Sequence, residues 1–377
     1  MVQQSKQEYI LKILDRYHNA GRKYKKLILD EFCTICGHHR KHAIRLLNKG
    51  AATRHHRSGP RAKYGAAVRE VLKGLWLKTN RPCSKILKAT IPIWLPHYQK
   101  GTPIPEAIRN DLLSISPASI DRLMQPVRKK YGSHGLPGTR PVSTLKNQIP
   151  IRTSHSDVDR PGYIQSDSVA HGGNSVEGNF VWSITMTDVC TQWTENRAVW
   201  NKGYAGVVEA IKDMEQVFPF RILGFHTDNG GEFLNHHLVN YFKERDVPVE
   251  FTRTRPDHKD DNCYVEQKNW MRVRNLLGCQ RIEDPDLIVP INRLYASWDM
   301  LNNFFCPNLK LLSKTKVGSR YVKRYDSPKT PAQRTIDHPH TNEAIKTHLT
   351  EKFINLNPMN LKKSIDHYQR LILSSLR

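Results

Sequence analysis

The first fifty residues repeat apolar positions at helical spacing. In QEYILKILDRYHNA, residues Tyr9, Ile10, Ile13, Leu14 and Tyr17 recur every three or four positions, which predicts an amphipathic helix. RKYKKLILDEFCTICG continues with Leu27, Ile28, Phe32 and Ile35, and Gly37 then breaks the pattern. HHRKHAIRLLNKG predicts a third short helix ending at Gly50. Two helices about a tight, Gly-bearing turn form a helix-turn-helix layout over 1–50. Residues 51–63, AATRHHRSGPRAK, read as a basic linker. A second helical region covers 64–131: VREVLKGLWLKTN, a Pro-rich stretch, then EAIRNDLLSISPASIDRLMQPVRKKYG. There Ser116 or Ser119 is placed to cap a helix bearing Ile120, Leu123 and Val127, and the layout again resembles helix-turn-helix. Residues 132–160 are rich in Gly, Pro, Ser and Thr, without periodicity, and read as a linker.

After Pro161 the period changes. PGYIQSDSVA, FVWSITMTDV and TENRAVWN predict three closely connected strands, hence an antiparallel meander. GYAGVVEAIKDMEQVF (helix), FRILGFHTD (strand), FLNHHLVNYFKERD (helix) and VPVEFT (strand) follow. Helices over VEQKNWMRVRNLLG and about 285–304 complete the block. Strands reached through helices add in parallel, so 161–305 predicts an α/β unit: a mixed five-stranded sheet flanked by helices. Residues 306–377 read as a small C-terminal region, with a β-hairpin in KLLSKTKVGSRYVKRYD around Val317-Gly318-Ser319. Helices from about 341 are split at Asn357-Pro358.

Charge divides along the same boundaries. Among 377 residues the net charge is +24, distributed as +21 over 1–150, −6 over 151–300 and +9 over 301–377. Two basic blocks flanking a mildly acidic one suit modules that grip a polyanion around a core with another task, with nucleic acid ahead of membrane. Arg40, Lys41 and Arg45 on the third helix carry chemistry suited to phosphates and base edges. No apolar run of about 18 residues predicts a membrane span. The N-terminus lacks a signal-peptide layout, and seven cysteines argue for a reducing cytoplasm over a disulfide framework.

Within the acidic block three carboxylates stand out. Asp167 lies inside the first strand, Asp228 just past the fourth and Glu266 early in a helix. A carboxylate in an apolar strand is costly unless paired or bound to a cation. Asp228 followed by Asn-Gly-Gly sits on a turn at the sheet's carboxyl edge, where ligands bind. First and fourth strands can be neighbours, which brings Asp167 and Asp228 together. Clustered carboxylates repel unless a metal neutralises them, and oxygen-only ligation favours Mg²⁺.

SDSVAHGG, HTDNGGEF and DNCYVEQKNW together resemble the three acidic motifs of the DDE transposase/integrase superfamily. More closely, they resemble the retroviral-integrase-like core of bacterial insertion-sequence transposases. The resemblance covers about 161–305, and HRKHAIRLLN resembles part of such enzymes' DNA-binding region. It implies a ribonuclease-H-like fold preceded by all-α helix-turn-helix domains, with Asp167, Asp228 and Glu266 as catalytic metal ligands. Mg²⁺ is the implied cofactor, with Mn²⁺ as a substitute. The implied reaction is nicking of the element's 3′ ends and strand transfer. The implied partners are double-stranded transposon ends and target DNA, bound by a homo-oligomer on paired ends, in the nucleoid-associated cytoplasm of a bacterium. The spacing of 37 residues between Asp228 and Glu266 departs slightly from the family signature. Two other readings share features of the chain: a DNA-binding regulator that has lost catalysis, and a ribonuclease H or junction nuclease.

Several further residues surround this set. Asn269 and Trp270 share Glu266's helical face, Asn269 as a DNA or ligand contact and Trp270 as core, whereas Lys268 does not. Arg272 and Arg274 read as backbone contacts to DNA. His226 lies on the strand before Asp228, with DNA contact and packing both open, and the loop holding His258 and Lys259 borders the site. Asp188 is a rival acid whose position at a strand end suggests a turn role. Tyr264 is the one candidate for a covalent nucleophile, without a supporting Arg/His constellation. Cys33-x-x-Cys36 with His38, His39 and His42 differs in order and spacing from the zinc site of retroviral integrases, and both cysteines fit a buried helix face.

Overall fold

The computed structural model describes residues 3–49, 63–131, 158–175, 177–228, 230, 232–233, 236–255, 265, 268–317 and 320–376. They form two compact units, Met1–Lys63 and Tyr64–Arg377.

The first unit packs three helices: α1 (Gln3–Asn19), α2 (Arg22–Cys36) and α3 (Arg40–Lys49). Gly37 ends α2 at φ 66°, a left-handed conformation open to glycine, and its N–H closes on the Cys33 carbonyl at 2.9 Å. The turn is therefore short and α3 folds back at once. Ile13 and Tyr17 of α1, Ile28, Leu29, Phe32 and Cys36 of α2, and Ala43 and Leu47 of α3 form the core. Leu27 and Ile35, expected inside, are exposed, because the buried stripe of α2 runs 28–32–36. Glu31 ties α2 to α1 by accepting from Tyr9 Oη at 3.0 Å and Arg16 Nη2 at 3.1 Å.

The second unit begins with α4 (Ala66–Lys78), α5 (Ser84–Gln99), α6 (Glu106–Ser114) and α7 (Pro117–Lys129). Ser116 caps α7, its Oγ accepting from Ser119 N at 3.2 Å, and Ile120, Met124 and Val127 are buried. The Pro-rich stretch is helical as far as Gln99. Pro92 and Pro96 lie inside α5, where burial of Ile91, Trp94 and Leu95 outweighs the lost backbone bonds. Fully buried Trp94 donates its indole N–H to the Phe305 carbonyl at 2.8 Å. Residues of 64–131 thus share one hydrophobic core with the sheet instead of standing apart as a module.

The sheet comprises β1 (Tyr163–Ala170), β2 (Val181–Asp188), β3 (Thr194–Trp200), β4 (Gly224–Thr227) and β5 (Glu250–Arg253), in the order β3-β2-β1-β4-β5. The β1-β2-β3 pairs are antiparallel, and β4 and β5 add in parallel to β1. Helices α8 (Tyr204–Val217) and α9 (His236–Lys243) connect the later strands. This is the ribonuclease-H-like sheet of an integrase-type core. Gly224 lets β4 approach β1, since a Cβ there would meet the Tyr163 ring at 2.5 Å.

Beyond β5, a π-helical segment Asn269–Arg274 continues into Asn275–Leu277, and α10 (Ile288–Phe305) follows. Helix α10 closes the open edge of β3 with polar side chains. Asn303 exchanges two hydrogen bonds with the Thr194 backbone (3.1 and 2.9 Å), and Asn292 does the same with Ala198 (2.7 and 3.1 Å). Asp299 accepts from Asn196 N at 2.7 Å. Positions 194, 196 and 198 are alternate residues of one strand edge, so the helix stands in for a sixth strand and the edge offers no template for aggregation. A two-stranded hairpin, β6 (Leu311–Val317) and β7 (Arg320–Tyr325), precedes α11 (Pro331–Asp337), α12 (Glu343–Asn355) and α13 (Pro358–Ser375). Residues of α13, including buried Ile365 and Ile372, join the same core as α10. Among the described residues no helix is long and apolar enough to cross a membrane.

Candidate active site

The parallel register of β1 and β4 builds the site. Ser166 pairs with Thr227, the last matched pair of the two strands, so the next residues along each chain are Asp167 and Asp228. Two carboxylates 61 positions apart in sequence are thereby set at adjacent positions on neighbouring strands.

Each carboxylate is held by named donors. Asp167 Oδ1 accepts from Ser168 N at 2.8 Å and Oδ2 from Asn269 Nδ2 at 2.5 Å. Asp228 Oδ1 accepts from Gly230 N at 2.8 Å, as expected of a turn. Burial pushes the Asp228 carboxyl above the usual carboxylate range. The Gly230 N–H opposes this, the Glu232 charge adds to it and Lys202 opposes it.

Glu232 was not among the expected site residues, although it belongs to HTDNGGEF. It is buried, accepts from Ser168 Oγ at 2.6 Å and lies 3.8 Å from the ammonium of half-exposed Lys202. Lys202 also sits 4.8 Å over the Trp182 ring. A carboxylate four residues after Asp228, on a turn that returns toward it, was the available signal. Lys202, on the loop after β3, carried none.

Glu266 lies outside the described residues, as do Tyr264, His258 and Lys259. Val265 and Lys268 on either side of it are buried. Among the described residues no three His, Cys, Asp or Glu side chains stand close enough to hold an ion, so the two aspartates and Glu232 do not by themselves make a complete metal cage.

The segment after Glu266 departs from simple helical expectation. A π turn changes the phase, so Trp270 is exposed and Lys268 and Arg272 are buried. Arg272 is not available to DNA: it is 4% exposed, with its guanidinium 3.8 Å from Asp299. Burial, with Glu195 beside it, pushes Asp299 well above the carboxylate range, opposed by Arg272 and Arg197. Burial, reinforced by Arg272 and Arg334, pulls Lys268 down to about 7. Arg274 is half-buried and its charge, after burial, helps lower His171, whose Nε2 lies 2.8 Å from Ser183 Oγ. His226 is buried and bonds Thr252 Oγ1 at 2.9 Å, a packing role.

Asp188 is a turn residue. It accepts from Gly162 N (2.8 Å), Thr191 N (2.6 Å) and Thr191 Oγ1 (2.7 Å), and burial raises it to about 6. In the first unit, Lys41 and Arg45 are exposed on α3, whereas Arg40 is half-buried and ion-paired with Asp30. Cys36 is buried in the three-helix core and Cys33 packs at its margin.

The strand order and register define a ribonuclease-H-like fold of the integrase type. No family model matches the chain. Over 332 residues it is 36% identical to the uncharacterized protein y4rM of Sinorhizobium fredii, a match covering 87% of this chain and 94% of that protein. The chain belongs to the same family as y4rM. Solved structures similar to it include the HTLV-2 integrase catalytic core domain in complex with magnesium, in a dimeric form (14% identity, 39% of this chain and 90% of that one, TM-score 0.30). The catalytic core domain of BIV integrase is another (15% identity, 46% and 91%, TM-score 0.27). At these identities the fold assignment rests on the strand order and register of the chain itself.

Proposed function

We propose that this protein is a DNA transposase of the DDE type, carrying out 3′-end nicking and strand transfer on the ends of an insertion sequence. The observation that supports it most is the β1–β4 register, which sets Asp167 beside Asp228 at the sheet's carboxyl edge. The donor set is oxygen-only, and burial with a nearby carboxylate raises Asp228, the environment in which a divalent cation is favoured. Asp167 and Asp228, with Glu266, are the residues that would hold Mg²⁺, or Mn²⁺ in its place. When bound, the ion supplies the positive charge that activates a hydroxyl and offsets charge building on the phosphate.

The chain's own groups do the remaining work. Ser168 N and Asn269 Nδ2 fix the two oxygens of Asp167, and Gly230 N fixes Asp228. Lys202 places a cation at the rim for a DNA phosphate. Lys41 and Arg45, with Arg40 released from Asp30, serve as DNA contacts of the first unit, and Arg274 serves the second. Duplex DNA is the partner, with a homo-oligomer on paired ends.

The test is genetic. A marked segment bounded by the DNA that adjoins the coding region is supplied with the protein in recombination-deficient bacteria. Insertions at new sites are expected with the wild type and absent with Asp228→Asn. Binding to those ends without any insertion identifies a regulator instead, and cleavage of RNA–DNA hybrids alone identifies a ribonuclease H.

A further inference from the structure

The hairpin β6–β7 is anchored at its base and unpacked along its length. At the base, Arg334 is buried and donates to Asp326 Oδ2 (2.7 Å), Asn308 Oδ1 (2.7 Å), the Asn308 carbonyl (2.9 Å) and the Lys329 carbonyl (2.7 Å). Lys310 N donates to Asp326 Oδ1 at 2.7 Å, and Lys310 Nζ reaches the Cys190 carbonyl just past β2 at 2.8 Å. The root of the ribbon is thus locked to the sheet unit.

Beyond that root, none of the ribbon's described residues joins a hydrophobic cluster. Leu312, Val317, Val322 and Tyr325 are exposed. A two-stranded ribbon is marginal in water by itself, and four exposed large apolar side chains on it are explained by a partner that covers them.

Charge selects the partner. LLSKTKVGSRYVKRY carries five Lys and Arg and no Asp or Glu. All five charges have one sign, so the ribbon gains no cross-strand ion pair of its own. Repulsion between identical ribbons, and lysines along both edges, disfavour strand pairing with a second copy. A polyanion turns the same charges into an asset. The ribbon is about 20 Å long and about 5 Å between strands, and a duplex major groove about 12 Å wide admits such a ribbon.

We propose that 311–325 is a DNA arm. It lies against duplex DNA with Arg320, Lys323 and Arg324 on phosphates, and its exposed apolar residues close against the groove wall. This rests on duplex DNA being the partner, as in the reading above.

The test uses the full chain and a fluorescent random-sequence duplex, titrated across salt concentrations. Arg320→Gln/Lys323→Gln/Arg324→Gln is expected to bind more weakly. Its log affinity–log salt slope should be shallower by about 2–3, at roughly 0.9 for each phosphate no longer neutralised. Unchanged thermal unfolding shows the fold is kept, because all three side chains are exposed. Equal affinity and slope in the two proteins overturns the arm while leaving DNA binding intact. A wild type that fails to bind duplex overturns both readings. A change in sedimentation without a change in slope assigns the ribbon to a second copy and overturns the arm.

Discussion

Asn269 and Asp167, 102 positions apart, meet through one hydrogen bond, the Asn269 amide donating to Asp167 Oδ2 at 2.5 Å. Asn269 sits at the start of the π-helical segment, so the bond couples the geometry of that segment to β1. Outer partners of metal-ligating carboxylates typically contribute 10–100-fold. Asn269→Ala is therefore expected to lower strand-transfer rate by about 10–100-fold and to raise the Mg²⁺ concentration at half-maximal rate, with little change in melting temperature. Unaltered Mg²⁺ dependence would remove Asn269 from the site.

Arg272 is a structural cation. Its removal leaves Asp299 and Glu195 buried with less compensation, which for a broken buried pair costs about 3–5 kcal/mol. Because Asp299 is already pushed toward the protonated form, Arg272→Ala is expected near the lower end, about 3 kcal/mol. Urea unfolding measures this. The salt slope of DNA binding should stay at the wild-type value, and a shallower slope would return Arg272 to the DNA surface.

The cover over the β3 edge gives a third expectation. Asn303→Leu leaves the Thr194 N–H and C=O buried without their side-chain partners, a loss of about 1–3 kcal/mol. Light scattering during mild heating should also rise, because an uncovered strand edge invites pairing with other chains. A variant as stable and as soluble as wild type would show that the edge needs no cover.

Asp188 makes stability depend on pH. Its folded pKa, about 6, lies above the ordinary aspartate value, so the fold binds a proton that the unfolded chain releases. The contribution is fully present below pH ~4 and is lost as pH rises through ~6, on the order of 3 kcal/mol. Urea unfolding at pH 4 and pH 7 should show wild type losing more stability than Asp188→Asn over that interval. Parallel profiles would contradict the assignment.

The sheet was legible because its strands alternate and its turns carry Gly and Asn. The antiparallel meander, the two parallel additions and the pairing of Asp167 with Asp228 all follow from element order. The helix after Glu266 was not. Its buried stripe contains Lys268 and Arg272, residues that pattern reading places in solvent, and a π turn shifts the phase so that Trp270 emerges. The Asn292–Asp299–Asn303 cover was equally hidden, because polar residues on a helix ordinarily mark its wet face. Pro92 and Pro96 concealed α5 for a related reason: burial of their neighbours overrode local preference.

The proposed reaction requires Asp167 and Asp228 to act together on DNA. Its most direct measurement is single-turnover strand transfer of a duplex end into plasmid, comparing wild type, Asp167→Asn and Asp228→Asn in Mg²⁺. Transfer is expected from wild type only, with both variants folded and still binding the duplex. Transfer by either variant at a rate near wild type would contradict it.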